Sequence, residues 1–214
     1  MRKYFAELVG TFALVFCGTG AIVINQQANG AVGHVGIAVT FGAIVLAMIY
    51  TFGEVSGAHF NPAVTIGFLT AGRFNKKEVL PYIMCQIAGA FLASVVLKFL
   101  FPADTNLGTT IPAGSNWQSF VLEFILTYLL MLVIINVSQG SKETGVLAGI
   151  AIGSTILLEA MFAGPVSGAS MNPARSLAPA VVSNNLQSLW VYLLAPPLGA
   201  ITASFSWRLM QKKV

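Results

Sequence analysis

Two short segments hold the residues of this chain that are best suited to chemistry. Their sequences are Ser-Gly-Ala-His-Phe-Asn-Pro-Ala at 56–63 and Ser-Gly-Ala-Ser-Met-Asn-Pro-Ala at 167–174, and they are identical at six of eight positions. Asparagine is a preferred helix N-cap, and proline fits the first helical position, so each segment predicts the start of a helix after an extended loop. The two predicted helix starts are Asn61, Pro62 and Ala63, and Asn172, Pro173 and Ala174.

If two such helix starts met, their chemistry would suit an uncharged ligand. The positive ends of the helix dipoles disfavour cations, while the side-chain amides of Asn61 and Asn172 can donate hydrogen bonds to an oxygen atom. The loops add backbone carbonyl acceptors, which belong to Gly57, Ala58, His59, Gly168, Ala169 and Ser170. The sequence contains no metal-ligand cluster, phosphate-binding glycine loop or nucleophilic triad. We therefore expect no metal, no cofactor and no enzymatic activity.

The composition indicates which solvent surrounds these segments. Apolar residues make up 56% of the 214 residues and charged residues only 8%, whereas a soluble domain carries about a quarter charged residues. Most of the outer surface should therefore face hydrocarbon. Six apolar stretches reach the roughly 20 residues that cross a bilayer, at about 4–24, 35–53, 79–101, 117–138, 146–163 and 187–210.

Two further apolar runs, 64–71 and 176–182, are too short to cross a bilayer. Each follows one Asn-Pro-Ala sequence, so we interpret them as half-helices that enter the membrane and return. Because lipid requires an internally paired backbone, the long stretches should be helical. The predicted fold class is an all-α membrane protein with six transmembrane helices and two re-entrant half-helices.

The chain also repeats itself beyond these two segments. Glu7 and Thr11 of the first span recur as Glu123 and Thr127 of the fourth. We predict one transmembrane domain over 1–214, with repeat 1 at about 1–101 and repeat 2 at about 117–214. Each repeat has three spans, an odd number, so the second repeat must be inverted in the membrane. Inverted repeats place the ligand path between the two halves.

Arg175, Glu7 and Glu123 are charged residues at membrane depth, in or directly beside the predicted membrane segments. Arg175 directly follows the second Asn-Pro-Ala, and a charge at that depth is costly enough to indicate a functional role. It either lines a pore or anchors the segment at the lipid interface. Glu7 and Glu123 occupy equivalent places in two spans, and buried carboxylates accept hydrogen bonds from irregular loops. We favour a scaffold role for both over a proton relay.

The basic residues indicate orientation and localisation. If both termini are cytoplasmic, nine of the eleven Lys and Arg residues lie on that side, which is the positive-inside distribution. These nine are Arg2, Lys3, Arg73, Lys76, Lys77, Lys142, Arg208, Lys212 and Lys213. The net charge of +4 then reflects topology and not binding to nucleic acid. We expect a multi-pass protein surrounded by lipid in a plasma (inner) membrane.

Together, SGAHFNPAV at 56–64 and SGASMNPAR at 167–175 resemble the paired signature motifs of aquaporins and glycerol facilitators, the major intrinsic proteins. The resemblance implies an hourglass pore in each subunit, a homotetramer, and passive conduction with proton exclusion at the asparagine pair. The stretch 164–180 is similar to nodulin-like intrinsic proteins and their bacterial relatives. That similarity implies passage of glycerol, urea or neutral metalloid acids as well as water.

The same resemblance assigns an outer selectivity filter by its spacing from the motifs. It consists of Phe41, Ala160, Ala169 and Arg175. Strict water channels have a histidine at the position of Ala160, so this alanine favours a wider solute range. Phe41 stands where many nodulin-like proteins have tryptophan or a smaller residue.

Two further acidic residues lie near the expected path and could tune it. Glu54 is seven residues before Asn61, where many water channels carry histidine, and it is either a pore-mouth acid or a solvated loop acid. Glu159 precedes Ala160 inside a span and therefore needs a partner. It either pairs with Arg175 at the filter or turns away from the pore as a scaffold.

These features together predict a passive transmembrane channel for water and small uncharged solutes that excludes protons and ions. The alternative is a coupled secondary transporter of a small polar solute, a class that also uses inverted repeats. A transporter would need ionisable groups within the spans for coupling. Glu7 and Glu123 could be misread in that way, but the pair of half-helices favours an open path.

Overall fold

The computed structural model describes residues 1–138 and 142–211, without the side chains of 142–146. Lys212, Lys213 and the side chain of Lys142 therefore lie outside the described residues. Within the described part, the helices are α1 (Arg2–Gln27), α2 (Gly33–Ser56), α3 (Pro62–Thr70), α4 (Lys76–Leu100), α5 (Asn116–Val137), α6 (Lys142–Ser167), α7 (Pro173–Val182) and α8 (Leu189–Met210). Six are long and apolar enough to cross a membrane, and α3 and α7 are short. The predicted all-α fold class is confirmed.

Helices α1, α2 and α6 extend beyond both ends of the apolar stretches that predicted them, because a helix continues into the polar boundary of the membrane, whereas α8 begins two residues after its predicted start. The largest difference is in α6, which ends at Ser167 instead of 163 and contains Pro165. A proline has no N–H to donate, so the carbonyl four residues earlier, that of Met161, loses its helical partner. His34 at the start of α2 replaces that partner, because its Nε2 donates to the Met161 carbonyl at 2.5 Å.

The two halves of the bundle pack in the same order. In the first half, α1 contacts α2 and α4, and in the second half, α5 contacts α6 and α8. The short helices cross between the halves, since α3 packs against α8 and α7 packs against α4. Helices α2 and α6 join the halves along their length. This inverted repeat therefore brings the starts of α3 and α7 together inside the bundle.

Glycines set the closest approaches between helices in both halves. A Cβ at Gly89 of α4 would lie 2.2 Å from the carbonyl oxygen of Leu8 in α1, and a Cβ at Gly199 of α8 would lie 2.4 Å from that of Phe124 in α5. Real contacts of that length do not occur, so only glycine fits at either site. Small residues at such crossings are typical of membrane helix pairs.

Candidate pore

The loop before α3 is held by the carboxylate of Glu7, which is fully buried in α1. Its Oε1 accepts hydrogen bonds from Ser56 Oγ at 2.7 Å and from the backbone N–H of His59 at 3.0 Å. Its Oε2 accepts from the N–H of Phe60 at 2.7 Å and from Gln86 Nε2 at 2.8 Å. One carboxylate thus binds the loop at three points and ties it to α4.

The loop before α7 has a matching arrangement around Glu123 of α5, which is also fully buried. Its Oε1 accepts from Ser167 Oγ and from the N–H of Ser170, both at 2.8 Å, and its Oε2 accepts from the N–H of Met171 at 2.8 Å. The structure thus places Glu7 and Glu123 directly against the two loops that carry the asparagines. Neither carboxylate is among the residues that line the cavity described below.

These two loops are not uniformly extended, contrary to our expectation. Residues with φ between +41° and +85° occur at matching positions of the loops, at Gly57, Ala58 and Phe60, and at Gly168, Ala169 and Met171. Alternation between right-handed and left-handed backbone conformations can turn successive N–H groups toward one anion. Left-handed residues other than glycine cost about 1–3 kcal/mol each. The buried carboxylates supply the hydrogen bonds that hold this conformation.

The two asparagines meet where the short helices begin. Each caps its own helix, because Asn61 Oδ1 accepts from the N–H of Ala63 at 2.8 Å and Asn172 Oδ1 accepts from the N–H of Ala174 at 3.0 Å. Each side-chain nitrogen also crosses to the other half. Asn61 Nδ2 donates to the carbonyl oxygen of residue 171 at 2.7 Å, and Asn172 Nδ2 donates to the carbonyl oxygen of residue 60 at 2.9 Å. An amide nitrogen has two protons, so one N–H of each remains for a ligand.

A cavity of about 730 Å³ passes both asparagines. Helix α2 lines it from Phe41 to Glu54, a distance of about 20 Å at 1.5 Å per residue. Five of the six residues predicted to supply carbonyl acceptors are in its wall, namely Gly57, Ala58, His59, Ala169 and Ser170. Gly168 is not among the lining residues. The cavity thus has polar groups along one side and apolar side chains of α2, α5 and α6 on the other.

Arg175 lies at one end of this cavity and is only 2% exposed. Its Nη1 donates to the carbonyl oxygen of Gly108 at 2.8 Å, and its guanidinium carbon lies 5.2 Å from the centre of the Phe41 ring. Ala169 lines the same cavity. The structure therefore brings together three of the four predicted filter residues.

The fourth predicted filter residue, Ala160, is buried at 7% exposure but is not among the residues lining the cavity. Helix α6 lines the wall with Ala148, Ile152 and Ile156 instead. Ile156 lies about one helical turn before Ala160 on the same face. The sequence did not identify Ile156, because the few polar residues of α6 give no signal for the face that meets the cavity.

Of the two alternatives for Glu159, the pair with Arg175 is not formed. Glu159 is 5% exposed, and both of its carboxylate oxygens lack a hydrogen-bond partner among the residues that the structure describes. The oxygens are also buried from the cavity, while Arg175 donates to the loop carbonyl of Gly108. Glu54, in contrast, is exposed and lies in the cavity wall.

Sequence reasoning also missed three groups that complete the site. Gln86 is a buried amide within an apolar span, a signal that would have marked it. Gly108 lies in the connection after α4 at φ +66°, and only its contact with Arg175 shows its role. The buried ring of His59 packs between Phe68 and Phe74, at 4.7 Å from each ring centre. That histidine contributes to the loop through its side chain as well as its carbonyl.

Six spanning helices, two short helices meeting at their N-termini, and a cavity past that meeting point define an integral, multi-pass membrane channel. Comparison with known proteins agrees. The family model described as "Major intrinsic protein" matches residues 1–207. The chain belongs to the major intrinsic protein family, whose members are channels for water and small uncharged solutes and not enzymes. The alternative of a coupled transporter is thereby set aside.

Curated relatives and a solved structure cover nearly the whole chain. Aquaporin NIP1-2 of Arabidopsis thaliana is 44% identical over 99% of this chain and 74% of its own length. Nodulin-26 of Glycine max is 44% identical over 99% of this chain and 78% of its own length. The aquaglyceroporin from Plasmodium falciparum is 26% identical in structure-based comparison, with a TM-score of 0.89 over 98% of this chain and 96% of that one. The predicted resemblance to aquaporins and nodulin-like proteins is confirmed.

Proposed function

We propose that this channel passes uncharged solutes such as glycerol, urea or neutral metalloid acids in addition to water. The observation that carries the proposal is the end of the cavity near Arg175. Its wall there combines one charged donor, one aromatic ring and the small side chain of Ala169, and α6 adds no large polar group. A hydroxylated solute can place its oxygens toward Arg175 and its carbon face against Phe41. Similarity to an aquaglyceroporin and to nodulin-26 supports this range.

We propose that protons and cations are rejected at Asn61 and Asn172. The side-chain oxygens of both are occupied by backbone N–H groups of their own helices, so only N–H donors face a passing molecule. A water molecule there accepts hydrogen bonds and cannot hand its own proton onward along the pair. The positive ends of two helix dipoles add a field that repels cations.

We propose that the loop carbonyls replace the hydration shell of a solute along the path. Each hydrogen bond to water that a solute gives up on entering must be replaced by a hydrogen bond of similar strength in the path. The carbonyl of Gly168 is excluded from this set, because that residue is not in the cavity wall. Glu7 and Glu123 act as loop scaffolds, since each carboxylate accepts three hydrogen bonds from its loop and lies away from the cavity.

Glu54 and Glu159 receive different roles in this proposal. Glu54 is an acceptor at the mouth of the path that opens at the end of α2. Glu159 lies away from the solute, because its oxygens are enclosed in protein. Ala160 acts through its size alone, by leaving room next to the ring of Phe41.

We propose that the chain 1–214 acts as one channel domain, with repeats near 1–101 and 117–214, in a plasma (inner) membrane with both termini cytoplasmic. The described basic residues on that side agree with the positive-inside rule. We also propose a homotetramer. Only 22% of the most apolar window of α2 is buried, compared with 44% for α1, so α2 needs cover from lipid or from a neighbouring subunit.

The experiment that tests the proposal measures flux in proteoliposomes by stopped-flow light scattering. Water, glycerol, urea and boric acid are tested in turn, and a pH-sensitive dye inside the vesicles reports protons. We expect water and at least glycerol to pass, with no proton flux. Counterflow gives a second arm, since solute on the trans side would accelerate uptake by a carrier but not by a pore. Water flux without flux of glycerol, urea or boric acid would contradict the proposed solute range.

The Ala160→His variant tests the filter assignment. A histidine there should fill space beside Phe41 and Arg175, so glycerol flux should fall by more than water flux. Ile156→Ala serves as the comparison on the same helix, because it enlarges the lined wall. If Ala160→His folds normally and keeps the parent glycerol flux, then Ala160 does not belong to the filter.

A further inference from the structure

The position of the Phe41 ring depends on a residue of α1 that is not in the cavity wall. A Cβ placed on Gly18 would lie 2.1 Å from Cε1 and 2.5 Å from Cδ1 and Cζ of Phe41. Ordinary contacts begin at 3.4 Å. The ring therefore occupies the space that any side chain at position 18 would take.

The backbones on both sides of this contact are fixed by other close approaches. A Cβ on Gly42, the next residue of α2, would lie 2.6 Å from the carbonyl oxygen of Gly153, so α2 is held against α6. Helix α1 is held against α4 by Gly89, which touches the backbone of Leu8. Neither helix can retreat without breaking a second contact. The group that yields to a side chain at position 18 is the Phe41 ring.

The ring has open space on the side of the cavity. Phe41 lines the cavity and its ring centre is 5.2 Å from the Arg175 guanidinium carbon. To restore an ordinary contact with a methyl group at position 18, the ring must move by about 1.3 Å, the difference between 3.4 and 2.1 Å. Displacement away from α1 brings the ring toward the lumen and narrows it.

We infer that Gly18 is a positioning residue that sets solute size selection, because its missing side chain gives the Phe41 ring a slot outside the lumen. The inference rests on the proposed function in taking the Phe41 and Arg175 end of the cavity as the filter. Gly18 does not touch the solute. It acts through the ring, so its substitution should change the ratio of glycerol to water flux and not only the amount of folded protein.

The same helix offers a matched control. A Cβ on Gly20 would meet only Leu97 Cδ2, at 3.4 Å, which is a tight but tolerated contact. Gly18→Ala and Gly20→Ala bring the same gain in helix propensity, about 1 kcal/mol. The two variants differ in whether the new methyl group meets the filter ring.

The experiment compares wild type, Gly18→Ala, Gly20→Ala, Phe41→Leu and the Gly18→Ala/Phe41→Leu double variant in proteoliposomes, with water and glycerol flux measured at equal protein content. We expect Gly18→Ala to lower glycerol flux about tenfold, equal to a barrier increase of about 1.4 kcal/mol, and water flux less. Gly20→Ala should keep the wild-type ratio. In the Phe41→Leu background, Gly18→Ala should have no further effect, because the ring is gone.

An unchanged glycerol-to-water ratio in folded Gly18→Ala overturns the inference, and so does a loss of glycerol flux that persists in the double variant. If Gly18→Ala alone does not fold, the double variant decides. A folded double variant with the flux of Phe41→Leu supports the inference that the ring occupies the space beside Gly18. Failure of the double variant to fold overturns that inference. If wild type passes no glycerol, the proposed solute range fails separately. The slot is then judged from water flux, which must fall in Gly18→Ala and not in Gly20→Ala.

Discussion

In the described structure, the carboxylate of Glu7 accepts four hydrogen bonds, whereas that of Glu123 accepts three. The loop donors are equivalent in the two halves, one serine hydroxyl and two backbone N–H groups. The difference is Gln86 of α4. Tyr82 of α4 aligns with Tyr192 of α8, so Gln86, four residues after Tyr82, aligns with Pro196. Proline has no side-chain donor.

The comparison shows which hydrogen bonds to these two carboxylates are common to both halves and which is found in one half only. Three loop donors on one carboxylate are common to both halves, and so is a tyrosine that binds the serine carbonyl at the loop start, at 2.9 Å from Tyr82 and 2.6 Å from Tyr192. The fourth donor belongs to one half only. The shape of the loop therefore depends on the carboxylate and its three loop partners, and the amide adds a tie to a neighbouring helix.

The largest effect should come from Glu123→Gln. The amide oxygen can keep the two donors at Oε1, but the amide nitrogen then faces the N–H of Met171. At least one charge-assisted bond is lost, worth about 1.5–3 kcal/mol, and a buried donor is left without an acceptor. We expect a lower thermal unfolding midpoint in detergent and less folded protein. The glycerol-to-water flux ratio of the remaining protein should change little, and proton-coupled uptake that vanished in this variant would point to a carrier.

Glu7→Gln should have a smaller effect, which sharpens the comparison. The side-chain oxygen of Gln86 has no hydrogen-bond partner among the described residues, so a reversed Gln86 amide can accept from the new amide nitrogen. The N–H of Phe60 still loses its acceptor, as that of Met171 does in Glu123→Gln. We therefore expect a loss that is smaller than that of Glu123→Gln by about 1 kcal/mol, the value of an ordinary hydrogen bond. The unfolding midpoint of Glu7→Gln in a Gln86→Leu background is the control. Equal losses with and without Gln86 would show that the amide does not adapt.

The smallest effect should come from Glu159→Gln. Its oxygens have no partner to lose among the described residues, and glutamine removes any cost of burying a charge there. We expect an unfolding midpoint at or above that of wild type and an unchanged glycerol-to-water flux ratio. A selective fall in glycerol flux would return Glu159 to the filter, where the sequence suggested it as one of two alternatives.

The sequence predicted features that depend on local patterns. Hydropathy located the six spans, and the Asn-Pro pairs located the starts of α3 and α7. Contacts between distant residues were not accessible in this way. The pairing of Arg175 with the Gly108 carbonyl joins residues 67 apart, and that of His34 with Met161 joins residues 127 apart. No local signal distinguishes such partners. For the same reason, the sequence left pairing with Arg175 open as one of two alternatives for Glu159, and the structure does not form that pair.

The reciprocal bonds between the asparagines and the opposite loops have a consequence for biosynthesis. They join residues 110 and 112 apart, and α3 also needs α8, whose Ser204 hydroxyl donates to the Gly67 carbonyl at 2.8 Å. When the ribosome has released only the first three spans, Asn61 lacks the carbonyl of residue 171 that accepts from its amide, and α3 lacks its packing partner α8. The part of the path beside the two asparagines is thus completed only after the last span has been translated and inserted.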